Sequence, residues 1–255
     1  MPFPAPFDLT GRVALVTGGS KGLGKAMARG LAEAGADVAI SSRTEAELKP
    51  ALAEILAGTD RRGTYVVADM TDRGSVKRLA DEAVRALGKV DILINNAGSN
   101  APQPVDAITD EAWDNLIELN MTSVMSLTRA LVPGMKERRW GRIVHISSMF
   151  GFVSKEKRST YSGTKAALLG MARASALELG PFGITVNCIA PGPFLTDLPK
   201  SLLTQAERDE WGKVTAVGRW GDPKELVGPV LLLASDAGSF ITGQGLIVDG
   251  GYVVR

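Results

Sequence analysis

A short β-rich run, RVALVT at residues 12–17, passes without a break into Gly18, Gly19, Ser20, Lys21, Gly22, Leu23 and Gly24, and then into a helical pattern reaching Ala34. Strand, glycine turn and helix in immediate succession restrict the fold more than anything else in the chain. They are the phosphate-binding opening of a dinucleotide fold. Glycines let backbone N–H groups approach a pyrophosphate closely, and the helix that follows turns its positive end toward the anion. The spacing from Thr17 to Gly24 is T-G-x-x-x-G-x-G rather than G-x-G-x-x-G, so the flanking strand and helix carry the assignment. Gly18, Ser20, Lys21, Gly22, Leu23 and Gly24 are the expected contacts.

The rest of the chain keeps the same alternation. A second strand at 37–42 ends on Ser42 and Arg43, where a dehydrogenase that chooses NAD places an acid for the ribose hydroxyls. A carboxylate there would repel a 2′-phosphate, whereas a guanidinium and a hydroxyl would hold it with charge-assisted hydrogen bonds, and Lys21 adds a second cation. The cofactor expected is NADP(H), with NAD(H) as the lesser choice. A helix over 45–57 leads to a strand at 65–68 that closes on Asp69 and Met70, with Asp69 placed to accept from an adenine amino group or to cap the helix starting near Thr71. An apolar strand from Val90 runs into Asn95, Asn96, Ala97 and Gly98; Asn95 reads as a structural amide and the next three as flanking the cofactor. Later come a helical region over 110–135, a strand at 142–148, a helix from about Thr160 to Gly180 and a strand at 184–189. Residues 197–220 read as two short helices forming a lid, followed by a helix over 223–234 and a strand at 245–249. Such alternation predicts an α/β, Rossmann-like doubly wound parallel sheet with helices on both faces. The chain then forms one domain over 1–255, with ligands at the carboxyl ends of the strands.

Chemistry is expected where Ser148 ends a strand and Tyr161 and Lys165 open a helix. Four residues apart, the phenol and the ammonium share one helix face. A nearby cation lowers a phenol's pKa, which makes Tyr161 a candidate proton shuttle, with Ser148 sharing the substrate oxygen. Asn120, a polar amide amid Leu116, Ile117, Leu119 and Met121, must be hydrogen-bonded and is a candidate to hold a water relaying protons to Lys165. Lys155, Lys157 and Arg158 lie between Ser148 and Tyr161, either as a solvated loop or as a steering patch for an anionic substrate such as a sugar acid.

A net charge of +1 gives no general attraction to nucleic acid or membrane. Cys188 is the sole cysteine, so no intrachain disulfide can form, and His145 is the sole histidine, set within a strand, which argues against a zinc site. The opening MPFPAPF lacks a basic n-region, and no apolar run approaches the ~18 residues of a membrane helix. The expected place is the cytoplasm.

Taken together, Thr17-Gly18-x-x-x-Gly22-x-Gly24, Asn95-Asn96-Ala97-Gly98, Asn120, Ser148 thirteen residues before Tyr161, Tyr161-x-x-x-Lys165 and Pro191-Gly192 resemble the short-chain dehydrogenase/reductase family over almost the whole chain. The resemblance implies a catalytic tetrad: Tyr161 as acid/base, Lys165 lowering its pKa and binding the nicotinamide ribose, Ser148 polarising the substrate oxygen, and Asn120 holding the relay water. It also implies cofactor contacts from Pro191 and Gly192, from Thr196 and the backbone near Phe194 to the carboxamide, and a homotetramer. The reaction implied is hydride transfer between a carbonyl and a secondary alcohol. The substrate implied is a 3-oxoacyl thioester, with Arg138 and Arg139 where such reductases carry a basic residue for an acidic carrier protein, although Phe182 stands where they often place a second. The alternatives are a sugar acid, sugar, polyol or hydroxysteroid dehydrogenase, or a non-catalytic NADP-binding sensor or scaffold.

Overall fold

The computed structural model describes residues 4–196 and 204–255. Among them are strands β1 Val13–Thr17, β2 Asp37–Ser42, β3 Gly63–Val67, β4 Ile92–Asn95, β5 Gly141–Ile146, β6 Ile184–Pro191 and β7 Gly245–Val248. The helices are α1 Gly22–Glu33, α2 Glu45–Leu56, α3 Arg73–Leu87, α4 Asp110–Ile117, α5 Ser123–Arg138, α6 Ser159–Leu179, α7 Gln205–Gly212 and α8 Val227–Ala234. All seven strands run parallel in one sheet, in the order β3-β2-β1-β4-β5-β6-β7.

Alternation along the strands decides which helix lies where. Ala14 and Val16 of β1 join Val38, Ile40, Ile92, Ile94 and Val144 on one face, covered by Met27 and Leu31 of α1, Leu48 and Ile55 of α2 and Val230 of α8. Val13 and Leu15 point the other way and meet Leu79 of α3, Leu127 of α5 and Leu168 of α6. Strands buried on both faces need apolar residues at every position rather than every second one, which is why the sequence runs at 13–16 and 92–94 are continuous. The chain winds outward from β1 in both directions, so β1 and β4 flank the point where strand order reverses. In open sheets of this kind ligands bind at that point, outside the strands' carboxyl ends.

The structure shifts several expected boundaries. β3 spans Gly63–Val67 rather than 65–68, and β5 ends at Ile146, leaving Ser147 and Ser148 beyond the sheet. The helical region expected over 110–135 is broken by a π-helical turn, Glu118–Thr122, in which the N–H of Ser123 reaches back to Glu118 O. The helix expected from Pro223 starts as a 3₁₀ turn, Pro223–Leu226, closed by a capping box between Asp222 and Glu225. Of the lid expected at 197–220, residues 197–203 lie outside those described. The remainder holds α7 and a turn that ties back through Val217 N to Gly250 O and Trp220 Nε1 to Arg208 O, at 3.1 and 2.7 Å. Among the described residues no helix is long and apolar enough to cross a membrane.

His145 lies 1 % exposed on β5, its Nδ1 3.0 Å from Asn95 Nδ2. Burial, assisted by the Lys165 charge, pushes its pKa from 6.5 to about 4. Between those pH values the unfolded chain binds a proton that the folded chain refuses, so stability falls as pH drops from 6.5 toward 4. The cost reaches about 3 kcal/mol. Urea unfolding of wild type and His145→Gln at pH 7 and pH 4 should therefore show a loss about 3 kcal/mol smaller for the variant. Parallel losses would assign acid sensitivity to other groups.

Candidate active site

The start of the glycine turn is bonded to the segment after β4. Thr17 Oγ1 accepts from the backbone N–H of Asn96 and of Ala97 at 3.0 and 2.9 Å, while Asn96 Nδ2 donates to Thr17 O at 2.8 Å and Gly18 O at 3.2 Å. The loops after β1 and β4 are thus welded together at the switch point. Gly18 and Gly22 stand at φ of +64° and +55°, a region that side chains disfavour. At Gly24 a Cβ would sit 2.2 Å from Gly18 O, so the helix start is pressed onto the turn. No side chain caps α1, whose N-cap is Lys21, leaving its first N–H groups for a ligand. Thr196 lies against this helix start, within 3.4 Å of where a Gly22 Cβ would be. Phe194 is buried and pairs with Gly221, its ring lying over that glycine's Cα, and Gly192 is pressed onto Asp249, fixing the loop after β6.

The adenosine side differs from expectation in detail. Ser42 Oγ accepts from Thr44 N at 3.3 Å within its own turn, and Arg43 is exposed beside it. Glu47 on α2, which sequence reasoning passed over, accepts from Ser20 Oγ at 3.1 Å and Lys21 Nζ at 3.3 Å. Lys21 is therefore partnered by a carboxylate rather than waiting bare, although both groups are exposed and the pair is weak. The only sequence cue for Glu47 was its place in the first turn of α2. Asp69 does not cap α3. It folds an Asx turn onto Thr71 N and Oγ1, at 2.9 and 2.8 Å, and Asp72 caps the helix by accepting from Gly74 N. Those bonds, assisted by Arg43, hold the Asp69 carboxyl below its ordinary pKa, and Met70 beside it is buried.

The candidate chemical groups meet on α6 and the end of β5. Ser148 lies close enough to the Tyr161 phenol to favour its ionised form, and its Oγ accepts from Phe150 N at 3.1 Å. Phe150 also sets its ring edge-on to Tyr161 at 6.4 Å between centroids. Lys165, 5 % exposed, donates from Nζ to Ile146 O at 2.8 Å and stands 5.8 Å from the phenol ring centroid. This corrects the expected electrostatics: burial raises the Tyr161 pKa above its ordinary value, and the groups that oppose the rise are Ser148 and the Arg158 charge rather than Lys165. Lys165 itself is pushed down to about 8 by burial. The ammonium holds the strand end, and the phenol is a protonated acid at neutral pH.

Asn120 sits in the π-helical turn, a common mark of functional sites. Its amide makes three bonds: Oδ1 accepts from Ser99 N at 3.0 Å, and Nδ2 donates to Ser99 O at 3.0 Å and Thr164 Oγ1 at 3.1 Å. Both amide protons are spent on protein, so the side chain clamps the loop after β4 to α6. Gly98 lies between Asn120 Oδ1 and Lys165 Nζ, where a Cβ would approach both to 3.1 and 3.2 Å. Ser147, also missed, donates to Lys165 O at 2.7 Å and ties α6 to the strand end.

Arg138 and Arg139 fall elsewhere. They precede β5, at the amino end of the sheet, and Arg138 is consumed by buried Asp91 and by Val90 O, at 3.1 and 2.7 Å. Among the described residues no cluster could hold a metal ion.

Comparison with known proteins agrees with this geometry. The family model described as short chain dehydrogenase matches residues 12–207. The chain is 36% identical over 255 residues to the gluconate 5-dehydrogenase of Gluconobacter oxydans (strain 621H), covering 100% of this chain and 99% of the relative. Two solved structures superpose closely. A 3-oxoacyl (acyl-carrier-protein) reductase from Agrobacterium tumefaciens C58 with NADP bound gives a TM-score of 0.93 at 32% identity, over 99% of this chain and 98% of the other. A gluconate 5-dehydrogenase from Burkholderia cenocepacia J2315 in complex with NADP and tartrate gives 0.90 at 35%, over 98% of each chain.

Proposed function

The chain belongs to the short-chain dehydrogenase family, and from that premise we propose that it is an NADP(H)-dependent oxidoreductase interconverting a carbonyl and a secondary alcohol. The observation that carries the reading is the meeting of Ser148, Tyr161 and Lys165 at the carboxyl end of β5, beside a glycine turn pressed onto an uncapped helix start.

The residues present fit the cofactor. The Gly18–Gly24 turn leaves a cradle that a Cβ would fill, and the end of β2 offers Ser42 and Arg43, while Glu47, which pairs with Lys21 across an exposed contact, would have to yield that cation to a 2′-phosphate. Gly18, Ser20, Gly22, Leu23 and Gly24 would line the pyrophosphate, and Lys21, Ser42 and Arg43 the 2′-phosphate, which favours NADP(H) over NAD(H). Asp69 and Met70 would flank the adenine. Asn96, Ala97, Gly98, Pro191 and Gly192 would line the nicotinamide side, with Phe194 and Thr196 on the carboxamide. A bound dinucleotide would supply the hydride for the carbonyl carbon, or take it up from the alcohol carbon in the reverse direction. Tyr161 and Ser148 meet the oxygen on which charge develops, and Tyr161, kept protonated by burial, passes its proton to that oxygen. Lys165 binds the ribose and braces β5. Asn120 acts through Ser99 and Thr164 as a positioning residue. In the oxidative direction the phenol must first lose its proton, so the rate rises with pH.

The substrate is a small molecule. A carrier-bound 3-oxoacyl thioester is the second reading, favoured by the likeness to the A. tumefaciens reductase and weakened by Arg138 being spent on Asp91. The whole chain works as one nucleotide-binding unit in the cytoplasm. Exposed Trp113 and Met125, with Phe240 fully exposed, support its assembly with further copies, four by family likeness. The test is turnover of purified protein with NADPH and NADH against β-ketoacyl thioesters, sugar acids, polyols and diketones. NADPH should exceed NADH at least about tenfold in kcat/KM, as one phosphate contact pair allows. Binding of NADPH without turnover on any carbonyl would replace the enzyme with a sensor.

A further inference from the structure

Glu47 stands in the first turn of α2, where an acid ordinarily serves its own helix by facing the positive end. Its neighbour Glu45 turns to β3 and accepts from Tyr65 Oη at 3.0 Å. Glu47 reaches instead to the glycine turn, 27 and 26 residues earlier, where one carboxylate oxygen accepts from Ser20 Oγ at 3.1 Å and the other from Lys21 Nζ at 3.3 Å. An anion of the protein's own thus rests on two adjacent donors of the turn. Ser20 is buried, whereas the Lys21 and Glu47 side chains are 69% and 41% exposed, so a ligand can reach the pair from solvent. The contact can open without unpacking the core. One turn further along α1, Lys25 pairs with Glu54 of α2, a second rung between the same two helices that involves no residue of the turn's two donors.

We propose that Glu47 is a specificity-determining residue that works against the 2′-phosphate: its carboxylate occupies Lys21 and Ser20 until a phosphorylated cofactor displaces it, which narrows the preference for NADPH over NADH. This deepens the oxidoreductase reading above and rests on its cofactor site. A phosphate monoester carries about two negative charges at neutral pH, and it must take Lys21 from a carboxylate that stays near by as a like charge. NADH has a hydroxyl at that place and meets no such opposition. An exposed pair of this kind adds little to the fold, which is what lets a ligand break it. The same exposure means that salt screens the opposition.

The experiment measures dissociation constants for NADPH, NADH and 2′,5′-ADP by titration calorimetry, in about 0.01 M and about 1 M salt, where screening is weak and strong. Wild type, Glu47→Gln and Glu54→Gln are compared. At low salt Glu47→Gln should bind NADPH and 2′,5′-ADP about fivefold tighter than wild type, as loss of one exposed opposing charge allows, with NADH held within about twofold. At high salt the gain should shrink below about twofold. Glu54→Gln, which removes the neighbouring rung, should leave all three constants within about twofold at either salt. Weaker NADPH binding in Glu47→Gln would make the acid a brace that aims Lys21, and an equal gain for NADH, or the same gain from Glu54→Gln, would make it a general effect of charge. Each of these, like unchanged NADPH binding, overturns the proposal and leaves the oxidoreductase standing. A wild type that bound neither NADPH nor 2′,5′-ADP would remove the cofactor site itself, and the role of Glu47 with it.

Discussion

Replacing Tyr161 with phenylalanine is expected to lower kcat by about 10³-fold, because the ring remains and only the proton donor is lost. The ring is held edge-on by Phe150 at 6.4 Å, so its position does not depend on the hydroxyl. Ser148 would keep its bond to Phe150 N and still offer one donor to the substrate oxygen, which sets a floor under the residual rate. The glycine turn and Arg43 are untouched, so the NADPH dissociation constant, read from cofactor fluorescence, should move less than about threefold. A variant retaining a tenth of wild-type kcat would remove Tyr161 from the proton step. The pH dependence supplies a second check. With the phenol pKa raised by burial, reduction needs the protonated form and should persist through neutral pH, falling only in the alkaline range, whereas oxidation should climb over the same span. A reduction rate that fell through pH 7 would mean that a cation does lower the phenol after all.

The sheet was legible because strands buried on both faces leave continuous apolar runs, and the glycine turn was legible because glycine is favoured at the φ of +64° found at Gly18 and the close approach at Gly24 leaves no room for a Cβ. What escaped the sequence were contacts between distant segments. Asn120 could be recognised as a buried amide needing partners, but Ser99 and Thr164, which consume it, are 21 and 44 residues away. The π-helical turn that aims it has no compositional signature. Lys165 and Tyr161 do share a helix face, yet helix geometry does not say whether an ammonium prefers a phenol or a carbonyl, and Ile146 O lies closer. Asp69 and Asp72 are both plausible caps by residue type, and only the backbone path distinguishes an Asx turn from an N-cap. Arg138 read as a cation placed for an acidic carrier protein because its partner, Asp91, is 47 residues earlier. In each case residue type indicated that a bond must exist, and the fold chose the partner.

Gly24→Ala is the second large effect. The added Cβ would lie 2.2 Å from Gly18 O, a backbone atom, and 2.5 Å from Asn96 Nδ2, a side-chain end held by two hydrogen bonds. Gly18 O is fixed by Asn96 Nδ2 at 3.2 Å, and the same amide holds Thr17 O at 2.8 Å, so relief requires α1 to withdraw from the turn or Asn96 to release both carbonyls. Either movement displaces the N–H groups that would face the pyrophosphate by a fraction of an ångström to an ångström. Misplacement on that scale costs on the order of 100-fold, here in NADPH affinity. Overpacking should also cost about 1–3 kcal/mol of stability in urea unfolding. Gly170→Ala, on exposed open space in α6, separates this steric cause from any general intolerance of glycine loss. It should leave NADPH binding unchanged and add up to about 1 kcal/mol of stability, since alanine is the better helix former. If Gly24→Ala bound NADPH as wild type does, the helix start would not be the phosphate site, because no ligand phosphate could rest there without the close approach that the methyl group forbids.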